Sequence, residues 1–377
     1  MERGFDLPYE ELSPTALLAS DFTAPDSRDH PWTVDWCGRD PAELVARALP
    51  DHLDTWTSGT SGDRTCWRRT RDQLWAEAGL LADLLRPYRP EAVLSFAPPR
   101  HVFGALATVL VPARLGVPVW YRPGIDCGMP PSPDRRWAVI AIPWTFSLLR
   151  PRSPWLREAR DLTFLHSTAT LPPAGARLLN ALGPERARAI EVLGSTESGG
   201  VAQRVWGPDD PDWHLLEDTE FDWDGPAGEG ERPLEIRSPR LASVPGQRPP
   251  DRWRLDDHVV PSGDRGFRFA GRRERLVKIN GRRISLDTVE DRLRPALRCA
   301  DLAALPVTHD TVGEHFDLYV VPAADTPYLT PARVTSVAAE LGPRPFRVHM
   351  VERIERSATG KTRRLQPAHT PDTGVKP

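Results

Sequence analysis

Strand-like and helix-like segments alternate without a break from residue 71 to residue 200, and no other feature constrains the fold as strongly. RDQLWAEAGLLADLLR places apolar residues at helical spacing and predicts an amphipathic helix. EAVLSFAP reads as a strand, FGALATVLVPARLG as a buried helix and VPVWYR as the next strand. WAVIAIPWTFSLLR supplies another strand and helix, and LTFLHST a further strand. AGARLLNALG then reads as a helix, and AIEVLGSTESGG as a strand that runs into a loop. Alternation of this kind predicts a parallel sheet covered by helices. Ligands of such sheets bind beyond the carboxyl ends of the strands, where STAT and GSTESGG both fall.

The pattern changes after about residue 204. DDPDWHLLEDTEFDWDGPAGEGERPLEIRSP breaks into short strands and turn clusters, and GDRGFRFAGRRERLVKINGRRISL reads as hairpins. LDTVEDRLRPAL and TPARVTSVAAELG read as helices, the second with a Thr cap before Pro. The expected class is therefore α/β. A large N-terminal domain, 1–273, holds parallel and mixed sheets, with a β-rich subdomain at 205–273; a small α+β domain spans 274–366, and 367–377 reads as a disordered tail.

Composition narrows the function classes. The chain has 377 residues, 40% hydrophobic and 27% charged, enough to bury real cores, and its net charge of −3 gives no global case for nucleic acid. No apolar run reaches the roughly 18 residues of a membrane span. The acidic start MERGFDLPYEELSP does not read as a signal peptide. Cys37, Cys66, Cys127 and Cys299 lie far apart and form no CxxC, as in a reduced cytoplasmic protein without a cysteine zinc site.

Two local features carry chemistry. Thr57 to Gly62 reads TSGTSG, only hydroxyls and glycines, which suits either a solvated turn or a loop wrapped on phosphates through backbone N–H groups. It is not a Walker loop, because Asp63 stands where that motif needs Lys. The basic residues are almost all Arg, and Lys occurs only at 278, 361 and 376. Lys is a compact point charge and Arg a planar fork, so a lysine kept in an Arg-rich chain suggests a place where the fork does not serve.

Five motifs follow one another: TSGTSG, LGSTESGG at 193–200, WRLDDHV at 253–259, GRRERLVKINGRRIS at 271–285 and ERSATGKTRR at 355–364. In this order, from about residue 55 to 366, the chain resembles the adenylate-forming superfamily of acyl-CoA synthetases, peptide-synthetase adenylation domains and luciferases. Within it, the chain looks most like the short ligases of aryl polyene and xanthomonadin pathways that load acyl groups onto carrier proteins. The resemblance implies a shortened N-terminal region and a mobile C-terminal domain. It implies ATP-dependent activation of a carboxylic acid, aromatic such as a hydroxybenzoate or fatty, to an acyl-AMP. The acyl group then passes to a thiol of an acyl carrier protein or CoA, with Mg²⁺ as cofactor.

By that resemblance Thr57, Ser58, Gly59, Thr60, Ser61 and Gly62 grip the pyrophosphate end of ATP. Gly194, Ser195 and Thr196 line the adenine and α-phosphate region, and Glu197 holds Mg²⁺. Asp257 accepts from the ribose hydroxyls, with Arg272 beside it. Lys361 is the catalytic lysine, and Lys278 meets the large domain during thioester formation. Glu274 marks the hinge and Gly281 the path of the pantetheine arm. His101, Phe103 and Gly104 wall the acyl pocket opposite Ser167 and Thr168, although His101 reads equally well as a core histidine.

Three departures stand out. Arg64 and Thr65 replace the usual Pro and Lys of the phosphate loop, Leu193 replaces an aromatic residue, and the loop already begins at Thr57. The segment 271–283, with Arg272, Arg273, Arg275, Lys278, Arg282 and Arg283, suits an acidic carrier protein or the phosphates of CoA. The competing readings are a non-catalytic or partner-dependent nucleotide-binding relative and an adenylating ligase with an amine acceptor.

Overall fold

The apolar runs become strands because both of their faces can be buried. The computed structural model describes residues 8–24, 30–58, 64–124, 126–131, 133–149, 153–207, 209–223, 230–272, 275–279, 282–309, 313–324 and 328–356. The chain divides into two units. The first comprises Met1–Gly230, Leu234–Leu255 and Val260–Arg268; the second comprises Glu231–Pro233, Asp256–Val259 and Phe269–Pro377.

The first unit begins with β1 (Glu10–Leu12), α1 (Pro14–Ala19), β2 (Trp32–Val34) and α2 (Pro41–Ala48). The hairpin β3 (His52–Ser58) and β4 (Arg64–Thr70) follows, and α3 (Arg71–Leu85) leaves it through a capping box formed by Thr70 and Gln73. Next come β5 (Ala92–Ser95) and a rod made of α4 (Val102–Gly104), a π-helical stretch (Ala105–Leu110) and α5 (Val111–Leu115). The π stretch lies just before Pro112, which cannot donate a backbone hydrogen bond. β6 (Val119–Tyr121), β7 (Arg136–Ala141), α6 (Thr145–Leu148), α7 (Pro154–Glu158), β8 (Asp161–His166), α8 (Pro173–Leu182) and β9 (Ala187–Ser195) complete the alternating part.

Strands β6, β5, β7, β8 and β9 are parallel neighbours in that order. Side chains alternate across them. Val93, Ala138, Ile140, Leu165 and Ile190 join the core under α3 and the π rod. Leu94, Trp137, Val139, Phe164 and Ala189 join the core with α6, α7 and α8. The chain leaves β5 for β6 on one side and returns to β7 on the other, so the topological switch point falls between β5 and β7. At the outer side β2 pairs antiparallel with β6 and parallel with β1.

Beyond β9, the chain turns into antiparallel pairing. β10 (Gly199–Val205), β11 (Trp213–Leu215), β12 (Glu220–Phe221), β13 (Arg232–Arg237), β14 (Trp253–Ser262) and β15 (Gly266–Arg272) extend the same sheet in the order β9-β10-β11-β15-β14-β13-β12. The turn-rich segment after residue 204 thus adds strands to the main sheet.

The second unit is a small α+β unit. It holds the hairpin β16 (Leu276–Ile279) and β17 (Arg282–Ser285), α9 (Leu286–Leu297), β18 (Asp301–His309), β19 (Gly313–Val321), α10 (Pro331–Leu341) and β20 (Arg347–Met350). β18 and β19 are antiparallel, and β20 runs parallel to β19. Leu286, Val289, Leu293, Phe316, Leu318 and Val334 form its core. Among the described residues no helix is long and apolar enough to cross a membrane.

Candidate functional site

Three predicted groups lie beyond the carboxyl ends of parallel strands. His101, Phe103 and Gly104 follow β5, Ser167 and Thr168 follow β8, and Gly194 and Ser195 end β9 with Thr196 and Glu197 just beyond it. His101 is half-buried and opens α4 without a side-chain cap, while Phe103 and Gly104 are buried. The Ser167 hydroxyl donates to the Val192 carbonyl at 2.8 Å, tying β8 to β9. Thr168 has φ 80° and a buried hydroxyl without a hydrogen-bond partner. A β-branched residue rarely adopts that backbone conformation, and such outliers gather at functional sites.

The β9–β10 turn is the best-defined part of the site. Ser195 pairs with Gly199 and Gly194 with Gly200, which leaves Thr196, Glu197 and Ser198 as a three-residue loop. Gly199 at φ 73° provides the left-handed residue that such hairpins need. Ser198 is fully buried, and its hydroxyl meets the Ser195 N–H at 3.1 Å and the Ser195 hydroxyl at 3.0 Å. The Ser195 hydroxyl, expected to line the nucleotide, also accepts the Ser198 N–H at 3.1 Å and so works inside the turn. Thr196 and Glu197 project from the tip, half-exposed.

A buried charge cluster grips this loop. The Gly200 N–H donates to Glu77 Oε1 at 2.6 Å, and the Gly200 carbonyl accepts from Arg240 Nη2 at 2.9 Å. Arg240 also donates to both Asp218 carboxylate oxygens, at 2.7 and 2.8 Å, and its Nη1 lies 3.2 Å from Glu77 Oε2. That last pair is a charge contact without hydrogen-bond alignment. Arg240, Glu77 and Arg69 are each only 1% exposed. Burial opposes the Arg240 charge, but Glu77 and Asp218 outweigh it and raise its pKa above the ordinary guanidinium value. The sequence reading missed all four residues. A signal existed for Glu77: it shares a helix face with Leu74, Ala78 and Leu81, where a carboxylate needs a partner.

Other predicted residues are placed only in part. Asp257 is buried on β14 and Asp256 beside it is exposed; Asp257 belongs to the second unit by its contacts. Lys278 lies on β16 opposite Arg283, and Arg272 ends β15. Thr57 and Ser58 end β3, opposite Thr65 and Arg64. Gly59, Thr60, Ser61, Gly62, Glu274, Gly281 and Lys361 lie outside the described residues. One member of the basic segment 271–283 is not available to a partner. Arg275 is bound to Asp287 at 2.6 Å, to Glu290 at 2.5 Å and to the Ala304 carbonyl.

The donor set at the loop tip bears on metal binding. Among the described residues no group of three or more His, Cys, Asp or Glu forms a metal cage. A single carboxylate beside a hydroxyl fits a Mg²⁺ ion that arrives on a polyphosphate and keeps several of its waters.

No protein-family model matches the chain. A 4-coumarate–CoA ligase of Cereibacter sphaeroides is 26% identical over 254 residues, 66% of this chain and 54% of that protein. ATP-bound MatB of Rhodopseudomonas palustris superposes on 82% of the chain with a TM-score of 0.65 at 17% identity, and 66% of its own length is covered. MenE of Bacillus subtilis, in complex with its acyl-adenylate intermediate OSB-AMP, gives a TM-score of 0.65 at 15% identity over 82% of this chain and 67% of its own. The chain thus spans about half the length of its curated relative and about two thirds of these structures. Its sheet topology and these likenesses agree: the chain shares the fold of MatB and MenE.

Proposed function

We propose that this protein activates a carboxylic acid with ATP and passes the acyl group to a thiol. A carboxylate oxygen attacks the α-phosphorus, the bond to pyrophosphate breaks, and an acyl adenylate forms. The thiol sulfur then attacks the acyl carbon, losing its proton, and AMP leaves. Negative charge gathers on phosphate oxygens in the first step, so the protein contributes chiefly positioning and fixed positive charge.

The observation that carries this reading is the clamped β9–β10 loop, which presents Thr196 and Glu197 at the carboxyl edge of the sheet. Glu197 and Thr196 would hold a nucleotide-borne Mg²⁺, which when bound neutralises phosphate charge. Thr57 to Gly62 would cradle the phosphates, Asp257 and Arg272 would bind the ribose, and Lys361 would meet the carboxylate and α-phosphate. Ser167, Thr168, Phe103 and His101 would wall the acyl pocket. The motif positions of Lys278 and Gly281 favour a thiol acceptor, either CoA or a carrier protein. The 4-coumarate–CoA ligase relative favours an aromatic acid and CoA.

The test is isotope exchange between pyrophosphate and ATP with a panel of aromatic and aliphatic acids. Acid-dependent exchange supports the reading and identifies the acid class. Nucleotide binding without exchange for any acid would move the assignment to a non-catalytic relative.

A further inference from the structure

Arg69 has no role in the steps above, yet its surroundings are unusual. It lies on β4, in the hairpin that carries the Gly/Ser loop, and is 1% exposed. Its Nε donates to the Arg240 carbonyl at 3.1 Å, while Nη1 and Nη2 are buried without a hydrogen-bond partner. Four N–H donors left idle in a desolvated guanidinium are costly, and such groups call for an explanation.

The backbone identifies the neighbour. Arg68 and Ser243 exchange N–H···O=C bonds of 2.7 and 3.0 Å, and the Ala242 N–H donates to the Glu197 carbonyl at 2.9 Å. The stretch 240–243 is therefore laced to Arg68 and Arg69 on one side and to Glu197 on the other. Burial and the neighbouring Arg240 oppose the Arg69 charge, and two carboxylates, Glu77 and Glu197, favour it. Glu77 already holds the Gly200 N–H with one oxygen and faces Arg240 with the other.

We propose that Arg69 is a positioning residue for Glu197: its idle η-amino groups orient the Glu197 carboxylate that meets the nucleotide-borne cation. This rests on the function proposed above. It goes beyond the motif reading, which assigns nothing to Arg69. The rival role is to neutralise Glu77 alone.

Calorimetric titration of the full chain with ATP, once in EDTA and once in excess Mg²⁺, tests the proposal. The variants are Arg69→Met, Arg69→Lys, Glu197→Gln and the double variant Arg69→Met/Glu197→Gln. Mg²⁺ should tighten ATP binding to the unaltered chain. Arg69→Met should lose about 10–100-fold of that gain, as is usual for partners of metal ligands, with affinity in EDTA unchanged. Arg69→Lys should recover part of it. The double variant should bind no more weakly than Glu197→Gln. An unchanged Mg²⁺ gain in Arg69→Met, losses that multiply in the double variant, or an equal loss in EDTA would each overturn the proposal. Should Arg69→Met fail to fold, Arg69→Lys carries the test, since it keeps the charge but lacks the fork that grips a carboxylate. If the unaltered chain binds no ATP in either buffer, the proposed function fails and this inference with it. If it binds and only the Arg69 comparisons fail, the function stands and the inference alone falls.

Discussion

His166, the last residue of β8, sits beside the site with no exposed surface. Its Nδ1 meets the Ala141 carbonyl at 3.1 Å and its Nε2 has no hydrogen-bond partner. Burial pushes its pKa below the ordinary 6.5, against the pull of Glu191 and of the Ala141, Thr170 and Ala169 backbone. The folded chain therefore holds this imidazole neutral, while the unfolded chain protonates it below about pH 6.5. Its contribution to stability is complete above that pH and falls as the pH drops toward the depressed native pKa. One proton limits the slope to about 1.4 kcal/mol per pH unit. Asp54 and Asp301, whose pKa values are lowered from 3.8, lose their contributions only at more acid pH. Urea unfolding at about pH 7.5 and about pH 5.5 should thus show a smaller acid loss for His166→Asn than for the unaltered chain, by about 1 kcal/mol. Equal losses would place the titrating group elsewhere.

At the scale of elements, the β9–β10 hairpin depends on Gly199. A Cβ there would lie 2.5 Å from Glu77 Oε2, on a backbone already at φ 73°. Gly199→Ala should cost about 1–2 kcal/mol for the backbone conformation and in addition displace the carboxylate that holds Gly200. Gly116 supplies the control, a left-handed residue at φ 67° with nothing within 4 Å of its Cβ position. Gly116→Ala should lose comparable backbone stability and keep acid-dependent pyrophosphate exchange, whereas Gly199→Ala should lose exchange as well. Full exchange in Gly199→Ala would separate the hairpin from the chemistry. The hairpin also shows what was legible in the sequence. Strand alternation located Gly194 to Glu197 at a strand end, and likewise Ser167 and Thr168, because periodicity is a local property, whereas His101 and Phe103 were singled out by the family resemblance alone. Ser198 closing the turn, and Arg240 and Asp218 meeting Glu77 beneath it, depend on contacts between distant parts of the chain, which no local period reports. Arg275 was counted in the basic segment for the same reason: its partners Asp287 and Glu290 lie on the following helix.

At the scale of the molecule, the two lysines outside the C-terminal tail test whether the units divide the work. Lys278 lies on β16 of the second unit, and Lys361 follows β20 in the sequence. The rest of the chain uses Arg so consistently that these two positions point to chemistry suited to a compact ammonium. If the second unit serves adenylation through Lys361 and thiol transfer through the region of Lys278, the two half-reactions should separate by mutation. Lys361→Ala should lower acid-dependent pyrophosphate exchange by about 10²–10³-fold, the usual cost of losing one preorganised stabiliser of developing charge. Lys361→Arg should stay impaired, because the broader fork does not replace a point charge. Lys278→Ala should keep exchange and slow the reaction of preformed acyl adenylate with the thiol. Exchange and single-turnover thiol transfer measured on the same preparations read the two steps independently. If both variants lost both half-reactions in parallel, the lysines would share one task, and the division of labour between the steps would have to be sought at other residues.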